Sequence, residues 1–410
     1  MNGMAVLILC AVLLHALIEW MADRLNLSFL SPALPDGFRD VYDADQYARS
    51  QRYLRQRTFL GRLSTLVELT AFLAFWFWGG FGWLDEQVRA LGWSPVGSGL
   101  VYIGLLAGAG SLMGLPFSWY GTFVIEARFG FNRTTPRLFI VDRLKALALA
   151  LVLGAPLLAG ILAFFEYAGP RAWLWCWLTV SAVLLILQVI VPAWIMPLFN
   201  RFSPLDDGEL KEAVMDLARR NRFPLANVFV MDGSRRSAKS NAFFAGIGAK
   251  KRLVLFDTLI RQHPPEEIVA IVAHEIGHCK KRHLPVMTAV SILQTGLMLY
   301  LLSWFISWPP LFEAFFVERP SVYAGLVLFS LLYGVIDFFA GLVMLHVSRR
   351  HEYAADRFAA EATGRPEVMT AALKRLSRDN LSNLTPHPFY VFLHYSHPPV
   401  ADRIRALLQA

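Results

Sequence analysis

His274, Glu275 and His278 stand in the spacing His-Glu-x-x-His, which offers a metal two imidazoles with a carboxylate beside them. On a helix, residues four apart share a face. His274 and His278 can therefore aim two ring nitrogens at one ion, and Glu275 is placed to take a proton from an activated water. The flanking residues predict that helix. Pro264 and Pro265 suit a first turn, Glu266 and Glu267 favour its positive end, and Ile268, Val269, Ile271, Val272 and Ile276 supply an apolar face.

A third ligand is needed, and residues 351–359 (HEYAADRFA) offer one. Glu352 and Asp356 are four apart on a predicted helix, and Ala355 and Ala359 are small enough to let another helix approach closely. Two histidines and a glutamate with an open fourth position form a common catalytic zinc set, which makes Glu352 the candidate. Asp356 would accept the other N–H of a liganding histidine. The bland alternative is a surface helix with two solvated acids. Close to the C-terminus, His397 precedes Pro398 and Pro399, and Arg403 follows; they could set a donor and a fixed cation beside a developing oxyanion. A plain structural turn would use the same residues. His351 points about 100° away from the Glu352 face, and Cys279 is displaced equally from His278, so neither is expected to bind the ion.

The elements that must position these residues are mostly apolar. Hydrophobic residues make up 56% of the 410 and charged residues only 17%, which excludes an ordinary soluble domain and points to a polytopic membrane protein. Seven stretches are long enough to cross a bilayer, near 4–22, 63–84, 99–119, 144–165, 173–198, 284–308 and 322–347. The first has no basic n-region and no small-residue cleavage site, so it is expected to remain as a span. Three cysteines (Cys10, Cys176, Cys279) give no disulfide framework.

Basic residues crowd alternate loops. Arg24, Arg39, Arg49, Arg52, Arg55, Arg57 and Arg62 lie between the first two spans, and Arg128, Arg133, Arg137, Arg143 and Lys145 between the third and fourth. The other loops are nearly empty of them. This bias predicts an external N-terminus, a cytoplasmic C-terminus and His274 on the cytoplasmic side. It also accounts for the net charge of +8 through contact with anionic lipid, with no nucleic-acid partner implied. The expected division is spans one to five over 1–199, a cytoplasmic insertion over 200–283, spans six and seven over 284–347, and a cytoplasmic tail over 348–410. Within the insertion, 209–221 has helical spacing, 228–231 and 252–256 read as short strands, and 241–244 as another between them. His15, Glu19, Glu68 and Asp337 fall inside apolar stretches, where facing lipid is costly, so they are expected to face inward.

Taken together, several segments resemble the type I CAAX prenyl proteases, the sterile-24 group of integral-membrane zinc metallopeptidases. They are FGFN at 129–132, PLFNRFSPL at 197–205, DGSRRS at 232–237, SNAFF at 240–244, KRLVLFDTL at 251–259, HEIGH at 274–278, SRRHEYAAD at 348–356 and HYSHPP at 394–399. They follow the family order across nearly the whole chain. The resemblance implies a mainly α fold: seven transmembrane helices enclosing a water-filled chamber, with a small α+β gluzincin-type domain on the cytoplasmic side. It also implies one zinc per chain on His274, His278 and Glu352, with Glu275 as base and Asp356 behind the ligands. His397 and Arg403 would help to hold the substrate carbonyl, and Asn241, Ala242, Phe243 and Phe244 would pair with an extended peptide. At 351 this chain has a histidine where eukaryotic members usually carry an aromatic or other apolar residue.

The expected activity is hydrolysis near the C-terminus of CAAX-type peptides, with or without a prenyl group, in a bacterial inner membrane or, alternatively, an endoplasmic reticulum membrane. One rival keeps the chemistry and acts instead on damaged or stalled membrane proteins. An intramembrane protease of the site-2 type is disfavoured because Lys280, Lys281 and Arg282 follow the motif, which places it at an interface. A non-enzymatic seven-helix carrier or receptor with an inert metal site is the rival from another class.

Overall fold

The computed structural model describes residues 2–246 and 251–409. Among these, seven helices are long and apolar enough to cross a membrane: spans 1 to 7 are Gly3–Ser28, Ala44–Phe77, Pro95–Glu126, Pro136–Tyr167, Gly169–Phe199, His283–Phe305 and Val322–Thr363. The number agrees with the hydropathy reading, but two extents do not. Span 2 starts at Ala44, directly after Asp43, whose side chain caps the helix by accepting from the Gln46 N–H, and so runs through a polar stretch before entering the apolar one. It ends before Gly79, whose φ of 79° turns the chain into the separate helix Gly80–Ala90. Span 7 continues past the apolar region as one unbroken helix of 42 residues, about 60 Å long, until Gly364 ends it at φ 64°. That continuation carries Glu352 and Asp356.

Burial within the spans is concentrated at their ends. At the end away from His274, a cluster joins all seven: Ile8, Trp76, Tyr102, Leu162, Cys176, Leu302 and Leu328 are each almost fully buried, with Phe312 and Phe315 packed among them. Gly82 crosses so closely that a Cβ there would stand 1.9 Å from the Phe316 carbonyl oxygen. At the other end the spans meet the extramembrane elements. Between the two ends few span residues are buried, and even the most apolar window of each span is at most 17% buried. A bundle packed at its ends and unpacked at mid-height is a hollow one. The spans form its wall, one helix thick.

The extramembrane part has a four-stranded sheet in the order β1-β2-β4-β3, with β1 Phe202–Pro204, β2 Leu225–Met231, β3 Ala242–Ala245 and β4 Lys251–Phe256. β2 and β4 are parallel, while β1 and β3 pair antiparallel on the two flanks. Leu253 and Leu255 of β4 and Ala242 of β3 pack against the helix Pro265–Lys280, which shares a core with helices Glu209–Arg220, Pro366–Asp379 and Val400–Leu408. This core joins the mouth of the hollow bundle through ion pairs, including Arg236 with Asp142 at 2.8 Å and Lys239 with Glu126 at 3.5 Å. The basic loops between spans 1 and 2 and between spans 3 and 4 therefore lie at the same end as His274.

Candidate metal centre

The helix Pro265–Lys280 begins as its sequence dictates, with proline at the first turn and Glu266 and Glu267 behind it. Glu267 is buried and accepts from the Arg375 guanidinium at 2.9 Å and meets His263 Nδ1 at 2.8 Å, which anchors the start of the helix. One turn before its end, Gly277 faces span 7. A Cβ there would lie 3.1 Å from Ala355 Cα and 3.2 Å from the Ala355 carbonyl oxygen. The two helices cross this closely because glycine meets alanine at the crossing.

The close crossing brings three ligand atoms together. His274 Nε2 and His278 Nε2 are 3.1 Å apart, and they lie 3.5 and 3.2 Å from the two carboxylate oxygens of Glu352. Among the described residues this is the one group of histidine, cysteine, aspartate or glutamate side chains able to hold a metal, with all donor atoms within 4.8 Å. Glu352 is buried and its Oε2 has no hydrogen-bond partner. A buried, underbonded carboxylate facing two imidazole nitrogens is an arrangement that a cation satisfies.

Behind the ligands stands a charged pair. His274 Nδ1 is 2.9 Å from Asp356 Oδ1, and Asp356 in turn accepts a two-pronged contact from Arg403, Nε at 2.8 Å and Nη2 at 2.6 Å. Burial alone would lower the His274 imidazole, but the carboxylates of Asp356 and Glu352 beside its two nitrogens outweigh burial and raise it from 6.5 to about 9. Arg403 thus spends two of its three nitrogens on Asp356. Only Nη1 faces the centre, 3.3 Å from Glu352 Oε2. His397 overhangs the same carboxylate with Nε2 at 3.3 Å and a side chain 63% exposed. Glu275 forms no ion pair among the described residues, and burial, partly offset by His274 and His278, holds its carboxyl above the usual range.

The remaining expected site residues lie alongside. β3 borders the metal-motif helix, and its outer edge pairs with no other strand among the described residues. Asn241 is exposed just before it, Ala242 and Phe244 turn toward the core, and Phe243 packs edge-on to Phe256. His351 is not at the metal group; its ring stacks on His283. Two residues at the site had escaped the sequence reading. His283 contacts His278, and a third histidine close behind the motif was the available signal. Arg349 donates to the Val391 and Tyr395 carbonyl oxygens at 3.2 and 2.7 Å, closing the last turn of Pro388–His394 and so fixing the loop that carries His397. Arg349 lies within the segment 348–356 that carries the family resemblance, but its bond to this loop is visible only in three dimensions.

Residues 23–201 match the family described as the CAAX prenyl protease N-terminal region with five membrane helices, and residues 204–410 match peptidase family M48. The chain belongs to peptidase family M48. Relatives in this family include CAAX prenyl protease 1 of Saccharomyces cerevisiae, 35% identical over 91% of this chain and 88% of the yeast protein. The human CAAX prenyl protease 1 homolog is 29% identical, again over 91% of this chain and 88% of its own length. The crystal structure of S. mikatae Ste24p superposes with a TM-score of 0.93 at 32% identity, covering 99% of each chain. This M48 member is a multi-pass membrane metallopeptidase that acts on peptide bonds, and the reading as an inert carrier falls with that membership.

Proposed function

We propose that this chain is a zinc endopeptidase that cuts close to the C-terminus of CAAX-type peptides carrying a prenyl group, with the cutting end toward the cytoplasm. One observation carries the reading. The His274, His278 and Glu352 group, with Glu275 beside it, lies between a strand edge that no other strand pairs with among the described residues and the mouth of a hollow membrane bundle. A tetrahedral zinc with arms of roughly 2.0–2.2 Å spaces its ligand atoms by about 3.3–3.6 Å. The separations of 3.1, 3.2 and 3.5 Å are close to that spacing. His274, His278 and Glu352 would hold the ion, whose chemistry there is to acidify water and polarise a carbonyl.

The chain's own residues supply the rest. The β3 edge takes an extended peptide by main-chain hydrogen bonds and sets its register. Glu275 accepts the proton of the attacking water and passes it to the leaving amine, a task suited to a carboxyl held above its usual range. His397, the exposed imidazole over Glu352, donates to the carbonyl oxygen as charge develops there. Arg403 keeps Asp356 charged and oriented, and Asp356 keeps the His274 ring in its ligating pose. The prenyl specificity follows the names of the relatives.

The experiment compares matched CAAX peptides, with and without farnesyl, on purified detergent-solubilised protein and on its Glu275→Gln variant. The expected outcome is faster cutting of the farnesylated peptide, and a variant that keeps its zinc yet loses nearly all turnover. Equal cutting of both peptides moves the substrate to unmodified membrane polypeptides. Wild-type turnover in Glu275→Gln removes the assigned base.

A further inference from the structure

The ligating pose of His274 has a partner in Asp356, and His278 needs one as well, because a ring bound through Nε2 presents an N–H at Nδ1. In this chain that partner is a second imidazole. His278 Nδ1 lies 2.9 Å from His283 Nδ1. His283 is buried, and its ring lies flat against His351, with centroids 3.9 Å apart and planes 6° from parallel. The backbone is bent to achieve this. The metal-motif helix ends at Lys280, and Arg282 takes a left-handed φ of 57° before span 6 opens at His283. A non-glycine residue seldom adopts that conformation without a reason in the surrounding structure. Here the corner folds the first residue of span 6 back over the last turn of the helix, where its ring meets His278.

We infer that His283 is a positioning residue for the second metal ligand, accepting the Nδ1–H of His278 and held flat by the ring of His351. The inference rests on His278 being a ligand, as proposed above. Tautomer logic then runs in one direction. With Nε2 of His278 committed to the ion, its Nδ1 carries the hydrogen, so His283 Nδ1 accepts and His283 carries its own hydrogen on Nε2. Span 7 contributes to both histidine ligands: Asp356 bonds His274 directly, and His351 acts on His278 through His283. The two supports differ in kind. A carboxylate backed by Arg403 is a charged acceptor, whereas an imidazole is a neutral one, so His278 is the more weakly braced ligand.

The test measures zinc affinity by competition with a chelating dye, using the full-length detergent-solubilised chain. Removal of a partner behind a metal ligand lowers metal affinity by roughly 10–100-fold, and His283→Ala is expected to fall in that range. His283→Asn, whose amide oxygen can accept in place of Nδ1, is expected to recover most of the affinity. His351→Phe should bind as the parent does, and His351→Ala more weakly. Parental affinity in His283→Ala overturns the inference, and so does an equal loss in the Ala and Asn variants, since a packing role would not respond to a restored acceptor. If His283→Ala does not elute as a monodisperse species, the two His351 variants decide, and equal affinity in both overturns the inference. His278→Ala separates this failure from that of the underlying reading. If it retains parental zinc affinity, the ligand set is wrong; if it loses zinc while His283→Ala does not, only the role of His283 falls.

Discussion

The two imidazoles of the centre occupy different electrostatic surroundings, and the difference governs how protons and metal compete. His274 is bonded at Nδ1 to Asp356 and faces Glu352 across Nε2, so in the metal-free protein it holds a proton up to about pH 9. The sign follows from linkage. A folded value above the ordinary 6.5 means that this charge stabilises the metal-free fold fully below about pH 6.5, and the contribution is lost as pH rises through about 9. Metal needs the neutral ring, so binding near neutral pH must expel that proton. Calorimetric zinc titrations in buffers of different ionisation enthalpy should therefore show proton release near neutrality that shrinks above about pH 9. Heats independent of the buffer near neutral pH would show that His274 is already neutral there, donating to Asp356 from Nδ1 and holding no proton on Nε2 toward Glu352.

At the scale of elements, the centre depends on how closely two helices cross. Gly277 of Pro265–Lys280 lies against Ala355 of span 7, and the glycine is forced by proximity and not by backbone angle. Two branched methyls there have no flexible neighbour to displace, only the Ala355 backbone and the Phe358 ring. Gly277→Val is expected to push the helices apart, to cost about 1–3 kcal/mol of stability and to weaken zinc binding, because His274 and His278 sit on one helix and Glu352 on the other. Melting temperature and zinc stoichiometry, measured together, check this; unchanged values for both would mean that the crossing has slack. Much of this arrangement was readable in the sequence. Periodicity and first-turn residues gave the metal-motif helix, and the apolar lengths gave the number of spans. The extents were less readable, because hydropathy reports contact with lipid and not where a helix stops; span 7 continues 16 residues beyond Val347 for that reason. The residues singled out at 274, 278, 352, 356, 397 and 403 do meet in space. What no local pattern could reveal is which of them bond each other. The Arg403–Asp356 fork spans 47 residues, and its cost in free guanidinium nitrogens appears only in three dimensions.

At the scale of the molecule, the polar residues of the spans locate the water. Asp337 lies in span 7, 15 residues from Val322 and 15 from Glu352, about 22 Å from each along the helix. It is exposed, and its one described hydrogen bond is from Gln294 Nε2 of span 6 at 2.9 Å. A carboxylate at that height facing hydrocarbon would be costly, and a solid bundle would have buried it; exposure to water inside the hollow removes both difficulties. Phe339 lies two residues on, about 200° around the helix, and is 62% exposed, as a lipid-facing ring would be. The two positions therefore discriminate. With the three native cysteines replaced by serine and the protein reconstituted in vesicles, Asp337→Cys should react readily with a charged, water-soluble thiol reagent, and Phe339→Cys should not. A hollow closed to water would leave both unreactive, and a bundle whose faces were assigned the wrong way round would reverse the pair. The expected pattern bears directly on substrate choice. A water-filled space reaching mid-membrane can receive the polar main chain of a peptide together with an attached lipid, whereas a dry one could take only the lipid.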